Sequence, residues 1–425
     1  MSKIIRKVKG MRQILPDVTP AWQYIEQKIS DLCRQYGYSE IRLPILEKTE
    51  LFKRSIGEVT DIVEKEMYTF KDITDDSLTL RPEGTAGCVR AALEEGLLYN
   101  QQQRFWYSGY MFRRENPQAN RYRQFQQIGI EAFGFAGVDI ELEHLALTSR
   151  LWKKLGLRNV SLEINTLGTL EERGRYRELL VNYLTSHEDK LDKDSIRRLK
   201  SNPLRILDSK NPAMQDLIES APKLYDSLDN ESKEKFERLK LLLDELQIDY
   251  SVNPRLVRGL DYYSHTVYEW VSKELGAQGT ICAGGRFDDL VEQLGGKANY
   301  AAGFALGVDR VLNLMTAQNL IPDKPVTHVY LAMLGDDVER HGWKLAESLR
   351  EQCPELALTV NIGGGKFQKQ IKKADKSGAL LAFILGEDEV QNQQITIKYL
   401  REDGKQLKIA QADIVKFLQD FMAND

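Results

Sequence analysis

The chain has 425 residues, which exceeds the roughly 250 to 300 residues at which a single core stops growing, so two or three domains are expected. Hydrophobic residues make up 42% and charged residues 29%, with 30 Gly and 12 Pro, a composition that excludes disordered and collagen-like proteins. Lys and Arg total 59 against 63 Asp and Glu, so the net charge of -4 provides no global attraction to DNA or to an anionic membrane. Any contact with RNA must therefore come from local patches.

The cysteines and the N-terminus bear on the compartment. Cys33, Cys88, Cys282 and Cys353 are at least 55 residues apart and form no C-x-x-C pair, so they predict neither a zinc site nor a redox motif. The first residues carry charges without the apolar segment of a signal peptide, and no run of 18 apolar residues occurs. We expect a reducing, cytoplasmic location and neither export by that route nor a membrane span.

Helices and antiparallel strands alternate in the first 170 residues. Thr19 is expected to cap a helix that starts at Pro20 and reaches Gly37, and residues 38–44 alternate polar and apolar as a strand ending at a proline. The elements predicted next are a hairpin of residues 67–70 and 77–81, a helix over 84–95, strands over 104–113 and 123–134, a helix over 139–155 and a strand over 160–165. Hairpins outnumber β-α-β units, which indicates an α+β domain built on an antiparallel sheet.

The composition then changes to charged, helix-forming sequence, which predicts a helical insertion over residues 171–247. The predicted strands over 250–252, 261–271 and 279–283 and the helices over 287–294 and after Gly307 resume the first pattern. The first domain is therefore expected to be discontinuous, formed by residues 1–170 and 248–322.

Residues 319–325 contain two prolines without periodicity and predict a linker. Beyond it, strands over 329–333, 357–361, 380–385 and 395–399 alternate with helices over 337–352 and after Gly365. Residues 326–425 are therefore expected to form a separate α/β domain.

Five arginines stand beside glycines and carboxylates at predicted strand ends and loops: Arg81, Arg113, Arg121, Arg258 and Arg310. A guanidinium group matches phosphate oxygens with two parallel hydrogen bonds and stays charged, so a cluster of them would suit a polyphosphate. For any single arginine, a structural ion pair with a carboxylate is the alternative. The polar loop that follows Arg113 and the glycine-rich strand that runs into the helix carrying Arg310 are the two places where such a ligand would fit.

Six segments in this order resemble the histidyl-tRNA synthetases, a family of class II aminoacyl-tRNA synthetases, over essentially the full length of the chain. Residues 36–44, 112–125 and 303–310 look like the three motifs of the class. More specific to the family are Leu-Arg-Pro-Glu-Gly-Thr at 80–85, Leu-Val-Arg-Gly-Leu-Asp-Tyr-Tyr at 256–263 and Ala-Gly-Gly-Arg-Phe-Asp-Asp-Leu at 283–290. The resemblance implies a class II catalytic domain with a helical insertion and a C-terminal α/β anticodon-binding domain.

The implied reaction joins L-histidine to tRNA(His) through a histidyl-adenylate formed from ATP. By the resemblance, Arg113 holds the α-phosphate and Arg310 the far end of ATP, Glu115 lies near the adenine amine and Arg121 near the phosphates. Arg258 matches an arginine special to the family that reaches the α-phosphate in the transition state, so Arg258 and Arg113 are the expected catalytic residues. Mg²⁺ is expected to accompany ATP, with no protein metal ligand and no zinc.

Histidine binding is implied for seven residues: Glu83, Thr85, Gln127, Glu131, Arg258, Tyr262 and Tyr263. Carboxylates at 83 and 131 make sense because histidine offers an ammonium group and a ring N–H. A pocket that must pair a ring N–H rejects analogues lacking it, so no editing site is expected. Interior packing is the alternative for the two tyrosines.

Four positions depart from the family pattern: Asn116, Asn120, Gln126 and Asp309. The first two remove a basic contact from the loop that usually positions the end of the tRNA. A histidine is common at 126 and a glutamate at 309; aspartate keeps the charge but shortens the side chain by one methylene group.

The C-terminal domain offers Lys366, Lys369, Lys373 and Lys376 on one predicted helix face, with Phe367 on the opposite side. This stripe suits RNA phosphates, although such faces are often simply solvated. The expected partners are histidine, ATP, tRNA(His) and a second copy of the chain, with neither DNA nor membrane. Two alternatives stay open: a histidine-sensing regulatory subunit of a histidine-biosynthesis enzyme, which charges no tRNA, and an unrelated ATP-dependent enzyme with an RNA-binding tail.

Overall fold

The structure is a computed structural model that describes residues 4–57, 60, 62–115, 121–209, 211–322, 327–335, 337–402 and 404–423. The chain divides into two compact units, Met1–Pro322 and Asp323–Asp425. None of the helices in the described ranges has the length and apolar character needed to cross a bilayer.

The first part of the larger unit alternates helices with short and long strands. Its elements are α1 (Thr19–Gln35), β1 (Ser39–Glu40), β2 (Leu46–Lys48), α2 (Thr49–Ile56), β3 (Tyr68–Lys71), β4 (Ser77–Leu80), α3 (Thr85–Glu94), β5 (Gln103–Phe112), β6 (Gln124–Phe133), α4 (Asp139–Lys154) and β7 (Ser161–Thr166). The hairpin predicted around residues 72–76 is confirmed as the antiparallel pair of β3 and β4, and the two long strands are confirmed as β5 and β6.

A helical segment and the second half of the sheet follow. The elements are α5 (Leu170–Thr185), α6 (Lys193–Ser201), α7 (Gln215–Glu219), α8 (Asn230–Glu245), β8 (Tyr250–Val252), β9 (Ser264–Val271), β10 (Thr280–Arg286), α9 (Asp289–Gln293), β11 (Ala301–Gly307) and α10 (Val308–Ala317). Short helical turns connect α5 to α8, and strands are absent from the described residues between β7 and β8. The predicted change to helical sequence after residue 170 is therefore seen in the structure.

Within the described residues, eight strands form one sheet in the order β1-β5-β6-β11-β10-β9-β7-β8. The central pairs are antiparallel, whereas β1 with β5 and β7 with β8 are parallel. The predicted α+β class with an antiparallel-rich sheet is confirmed. Apolar side chains on one face of β6, such as Ile128 and Ile130, pack with α1, α4 and α10, and the opposite face is left for Gln127, Gly129 and Glu131.

Two local predictions are wrong. Thr19 does not cap α1 through its side chain; it lies inside the helix, and its hydroxyl donates to the carbonyl oxygen of Leu15 at 2.9 Å. The strand predicted over residues 38–44 shrinks to Ser39–Glu40, because β1 pairs with β5 over only two residues before the chain approaches Pro44.

The smaller unit is an α/β domain. Its elements are β12 (Val329–Leu334), α11 (Val338–Gln352), β13 (Leu358–Val360), α12 (Phe367–Lys376), β14 (Leu381–Gly386), α13 (Glu387–Gln391), β15 (Gln394–Tyr399), β16 (Gln406–Ala410) and α14 (Ile414–Ala423). Among the described residues its sheet has the order β13-β12-β14-β15-β16, with parallel pairs on one side and antiparallel pairs on the other.

Candidate active site

A cavity of about 260 Å³ lies against β5, β6, β9, β10 and β11 of the large sheet. Nearly all residues predicted to bind ATP or histidine line it: Glu83, Thr85, Arg113, Glu115, Arg121, Gln127, Arg258, Tyr262, Tyr263 and Arg310. The remaining one, Glu131, lies directly beneath. Segments up to about 230 residues apart in sequence therefore meet at one place.

Besides Arg121, three arginines line the cavity, each from a different part of the fold. Arg113 follows β5, donates from Nε to the carbonyl oxygen of Pro82 at 2.8 Å and lies over the ring of Phe125. Arg310, in the first turn of α10, donates to the carbonyl oxygen of Thr280 at 2.6 Å. Arg258 stands on the loop before β9.

The partner of Arg258 is the carboxylate of Glu269 on β9, with which it forms an ion pair. Glu269 also accepts a hydrogen bond from the Thr280 hydroxyl at 2.7 Å. Burial is the largest single effect and acts to lower the pKa of Arg258, but Glu269, Tyr263 and Tyr262 together outweigh it, so the pKa is raised. The guanidinium group is thus charged and held in one orientation.

In contrast to Arg258, Arg310 and Arg113 have lowered pKa values. Burial lowers the pKa of Arg310, and the nearby cations Arg113 and Arg121 lower it further. Burial also lowers the pKa of Arg113, with a smaller contribution from Arg258. Cations that weaken one another in a partly desolvated cleft favour an anionic ligand, which relieves their repulsion.

Glu83 caps α3 from inside the cavity. Its two carboxylate oxygens accept hydrogen bonds from the backbone N–H groups of Thr85 at 2.6 Å and Ala86 at 3.0 Å. These bonds use the positive end of the helix, yet burial is the larger effect and raises the pKa of Glu83. The carboxyl group is therefore fixed in place and still has oxygen lone pairs that face the cavity wall.

Glu131 is fully buried on β6. Its Oε1 accepts hydrogen bonds from the Thr85 hydroxyl at 2.7 Å and from the Tyr107 hydroxyl at 3.0 Å, while Oε2 lies against Gly303 without a hydrogen-bond partner among the described residues. Burial raises the pKa of Glu131 well above its usual range, which favours the protonated carboxyl group. Thr85 and Tyr107 stand between this group and the cavity.

Tyr262 and Tyr263 are both interior residues and cavity residues. Their ring centroids are 4.8 Å apart, and both rings pack against Phe287 at 5.8 and 6.4 Å. They are 2% and 5% exposed and still line the cavity. Such a rigid aromatic wall suits a flat ring.

The comparisons with known proteins bear on this geometry. A family model described as histidyl-tRNA synthetase matches residues 10–311, and one described as anticodon binding domain matches residues 328–421. The chain belongs to the histidyl-tRNA synthetase family. The resemblance noted from the sequence is confirmed.

Individual members of the histidyl-tRNA synthetase family agree over nearly the whole chain. A histidine–tRNA ligase of Hydrogenovibrio crunogenus is 54% identical over 419 residues, covering 99% of this chain and 98% of that protein. The crystal structure of apo S. aureus histidyl-tRNA synthetase superposes with a TM-score of 0.82 at 34% identity, covering 97% of this chain and 99% of that chain. A Bacillus halodurans structure described as an ATP phosphoribosyltransferase regulatory subunit/histidyl-tRNA synthetase has a TM-score of 0.66 at 19% identity, covering 91% and 99%, and shares the fold.

Two departures from the synthetase pattern lie within the described residues, and they are neighbours. The backbone N–H of Gln126 donates to Oδ2 of Asp309 at 3.2 Å, and Oδ1 of Asp309 pairs with Arg12. The side chain of Gln126 accepts a hydrogen bond from the indole of Trp22 at 2.8 Å. Asn116 and Asn120 lie outside the described residues.

Sequence reasoning missed three residues that line the cavity, Tyr107, Tyr122 and Glu269. It also missed Arg12, which contacts the lining residues Asp309 and Tyr122. Tyr107 is sandwiched between Gly84 and Gly129, where a Cβ atom would overlap its ring. Alternation along β5 could have revealed it, because Tyr107 pairs with Gly129 on the face that also carries Glu131. No sequence signal connects Arg12 with Asp309, because 297 positions separate them.

Two predicted groups of cations take different places. Arg81 is structural, since it donates to the carbonyl oxygens of Tyr110 at 2.9 Å and Leu43 at 3.0 Å. In the smaller unit, the predicted lysines stand on α12 or at its start, and all are exposed except the half-buried Lys373. Phe367 is 43% exposed, and the buried residues of α12 are Gln370 and Ala374.

Proposed function

We propose that the chain is a histidine–tRNA ligase that uses ATP to join L-histidine to tRNA(His) through a histidyl-adenylate. The observation that carries the proposal is the convergence of Arg113, Arg258 and Arg310 on one cavity that Tyr262 and Tyr263 also line. Fold, family and cavity all agree with this activity, which is also the one named for the 54% identical relative.

The three arginines divide the work on ATP in this proposal. Arg113 binds the α-phosphate, Arg310 binds the far end of the triphosphate, and Arg121 supports the phosphates while Glu115 accepts from the adenine amine. The ion pair between Arg121 and the buried Glu115 supports this assignment, because it brings a cation and an acceptor to the same end of the cavity. Histidine's carboxylate then attacks the α-phosphorus atom and pyrophosphate leaves.

Arg258 stabilises the charge that develops on the α-phosphate during this attack. Its orientation is fixed in advance by Glu269, so little reorganisation is needed when the transition state forms. Mg²⁺ enters as part of the ATP substrate. Phosphate oxygens are its principal ligands in this proposal.

Histidine occupies the side of the cavity formed by Glu83, Gln127 and the two tyrosines. Glu83 pairs with the ammonium group, and the carboxyl group of Glu131 acts through Thr85 and Tyr107 on the group bound above it. The short hydrogen bonds of Glu131 to both hydroxyls support this indirect role, because they fix which lone pairs and protons face the cavity.

The tRNA contact of the smaller unit is assigned to Lys366, Lys369, Lys373 and Lys376 on and beside α12. We also propose a homodimer in the cytoplasm. The dimer is supported by the position of β1, which lies at the edge of the large sheet within the segment that resembles the first class motif. Sedimentation velocity tests the dimer directly, and a monomer at micromolar concentration would contradict it.

Histidine-dependent exchange of pyrophosphate into ATP, followed by tRNA charging, tests the main proposal. A folded sample with Mg²⁺ should exchange only when histidine is present and should then charge tRNA(His). Histidine binding without exchange would favour the regulatory-subunit alternative. Arg310→Ala should raise the KM for ATP, whereas Arg197→Ala, which removes an exposed cation of α6, should leave both substrates unaffected.

A further inference from the structure

The segment of residues 256–263, hereafter the Arg258 loop, carries four residues that line the cavity: Arg258, Leu260, Tyr262 and Tyr263. It lies between β8 and β9 and has no regular secondary structure of its own. A loop without regular hydrogen bonding holds its side chains only as well as its surroundings hold it. The groups that grip its backbone therefore matter for the chemistry.

Donors from the helical insertion provide that grip. Arg173, on α5, donates from Nη1 to the carbonyl oxygen of Tyr263 at 2.6 Å and more weakly from Nη2 to that of Asp261 at 3.4 Å. Asn202, at the end of α6, donates to the Asp261 carboxylate at 2.8 Å. Arg205 reaches the carbonyl oxygen of Gly259 at 3.4 Å.

The contact from the other side of the loop is weaker. The backbone N–H of Asp261 donates to the carbonyl oxygen of Ile56 at 3.4 Å, at the end of α2. Asn165 of β7 also donates to the carbonyl oxygen of Leu256, at 3.0 Å. The two shortest of these hydrogen bonds, at 2.6 and 2.8 Å, come from Arg173 and Asn202.

The base from which Arg173 reaches is itself rigid. Backbone hydrogen bonds of 2.7 Å join Leu167 and Gly168 to His265, at the start of β9. The first turn of α5 is closed by reciprocal bonds between Thr169 and Glu172, and Glu172 also accepts from Ser232 at the start of α8. Because this end of α5 is held in place next to the loop, Arg173 can hold the loop in a fixed position.

We propose that Arg173, assisted by Asn202, is a positioning residue for histidine activation. It touches neither substrate; it acts by fixing the Arg258 loop, and through it the guanidinium group of Arg258 and the rings of Tyr262 and Tyr263. This inference rests on the proposed function and assigns the helical insertion a part in the first chemical step.

Kinetics separate this role from a general effect on stability. Arg173→Ala should lower kcat for histidine-dependent exchange by about 10- to 100-fold, as expected when reacting groups shift by up to 1 Å. The KM for histidine should rise while the KM for ATP stays within about twofold, since Arg113 and Arg310 stand on other elements. A purely structural defect would lower the active fraction and leave both KM values unchanged.

Companion variants keep the test decisive even if Arg173→Ala folds poorly. Arg173→Lys, which can supply one donor but not the fork, should recover part of the loss, and Asn202→Ala should show a milder version of the same change. Arg175→Ala is the matched control, because Arg175 stands on the same helix and pairs only with Glu171 and Asp229 among the ion pairs of the described residues. It should behave as the wild type.

A double variant tests the route. If Arg173 acts through Arg258, adding Arg173→Ala to Arg258→Ala should reduce kcat little further, whereas multiplicative losses would overturn the proposal. Wild-type kinetics in both Asn202→Ala and Arg173→Lys, or an unchanged KM for histidine in Arg173→Ala, would also overturn it. Absence of exchange in the wild type would instead refute the proposed function, so the two failures are distinguishable.

Discussion

Burial sets the charge state of individual carboxyl groups around the cavity. Within the described part of the chain, the hydrogen-bond partners of Glu131 are the hydroxyls of Thr85 and Tyr107, and no cation is among them. Its raised pKa means that the native protein keeps a proton that the unfolded chain loses above pH 4.5. Because the native state then binds more protons, the free energy of unfolding decreases as pH rises above that value.

Glu131→Gln removes this dependence while keeping an oxygen that accepts from both hydroxyls. We expect the variant to be more stable than the wild type at pH 8, with a difference that shrinks toward pH 4.5. Urea unfolding at several pH values measures it. A stability difference that does not change with pH would contradict the raised pKa of Glu131.

The ion pair between Arg258 and Glu269 predicts that the contributions of Arg258 to activity and to stability can be measured separately. Arg258→Ala should lower adenylate formation by about 10²- to 10³-fold, the usual loss for one pre-aimed donor. It should also cost roughly 1 to 3 kcal/mol of stability, because Glu269, only 17% exposed, loses its charged partner. Adding Glu269→Gln should restore the melting temperature without restoring activity. Recovery of both together would show that Arg258 serves folding alone.

His144 on α4 predicts a second pH effect. Burial lowers its pKa to about 3, with smaller contributions from Arg286 and Arg104, and neither ring nitrogen has a hydrogen-bond partner among the described residues. Below pH 6.5 the imidazole of His144 is protonated in the unfolded chain but remains neutral in the native state. The free energy of unfolding therefore decreases as pH falls from 6.5 toward 3. His144→Leu should therefore gain roughly 2 kcal/mol relative to the wild type at pH 5 and much less at pH 8, as measured by urea unfolding.

Close packing between strands and helices shapes the cavity floor. The ring of Tyr107 fills the space over Gly129 on β6 and Gly84 before α3. Gly129→Ala should displace the ring and cost roughly 1 to 3 kcal/mol through overpacking, together with loss of the bond between Tyr107 and Glu131. Thermal unfolding measures the loss of stability, and the KM for histidine measures the effect on the cavity. Gly96→Ala is unsuitable as a control, because the φ of 66° at Gly96 would strain an alanine. Gly174→Ala, in α5 with open space around its Cβ, is the better comparison.

The elements were predictable where periodicity is strong. Strands β5 and β6 and helix α4 follow from alternation or helical spacing, which depend only on local sequence. The cap of α1 and the length of β1 were not predictable, because a competing hydrogen bond from Thr19 to Leu15 and the two-residue pairing with β5 depend on tertiary surroundings. Similarly, the family pattern brought Arg113, Arg258 and Arg310 together, but nothing local indicated that Glu269 would hold Arg258.

Across the complete protein, activation and tRNA binding are expected to be separable. Each unit has its own hydrophobic core, and all ATP- and histidine-binding candidates belong to Met1–Pro322. Truncation after Pro322 should therefore preserve histidine-dependent exchange within a few-fold while strongly reducing tRNA charging. Loss of exchange in a truncated protein that remains folded would contradict this division.

The lysines of α12 predict a dependence on salt. Lys366→Gln with Lys369→Gln should weaken tRNA binding and reduce the slope of log K against log salt by about 1 for each lysine that no longer neutralises a phosphate. Lys344→Gln, an exposed lysine on α11, is the matched control. Unchanged slopes in both variants would show that the stripe is only a solvated face.

The helical insertion leaves the sheet after β7 and returns on β8, its parallel neighbour, where Leu162 pairs with Tyr250. These roughly 80 residues connect two neighbouring strands of the sheet, so their number can change during evolution without altering the register of the strands. The first helix of the insertion, α5, is less free to change, because it carries Arg173. Replacing the insertion with another helical segment should preserve the sheet. The chimera should remain active only if the new first helix also carries an arginine that donates to the carbonyl oxygen of Tyr263.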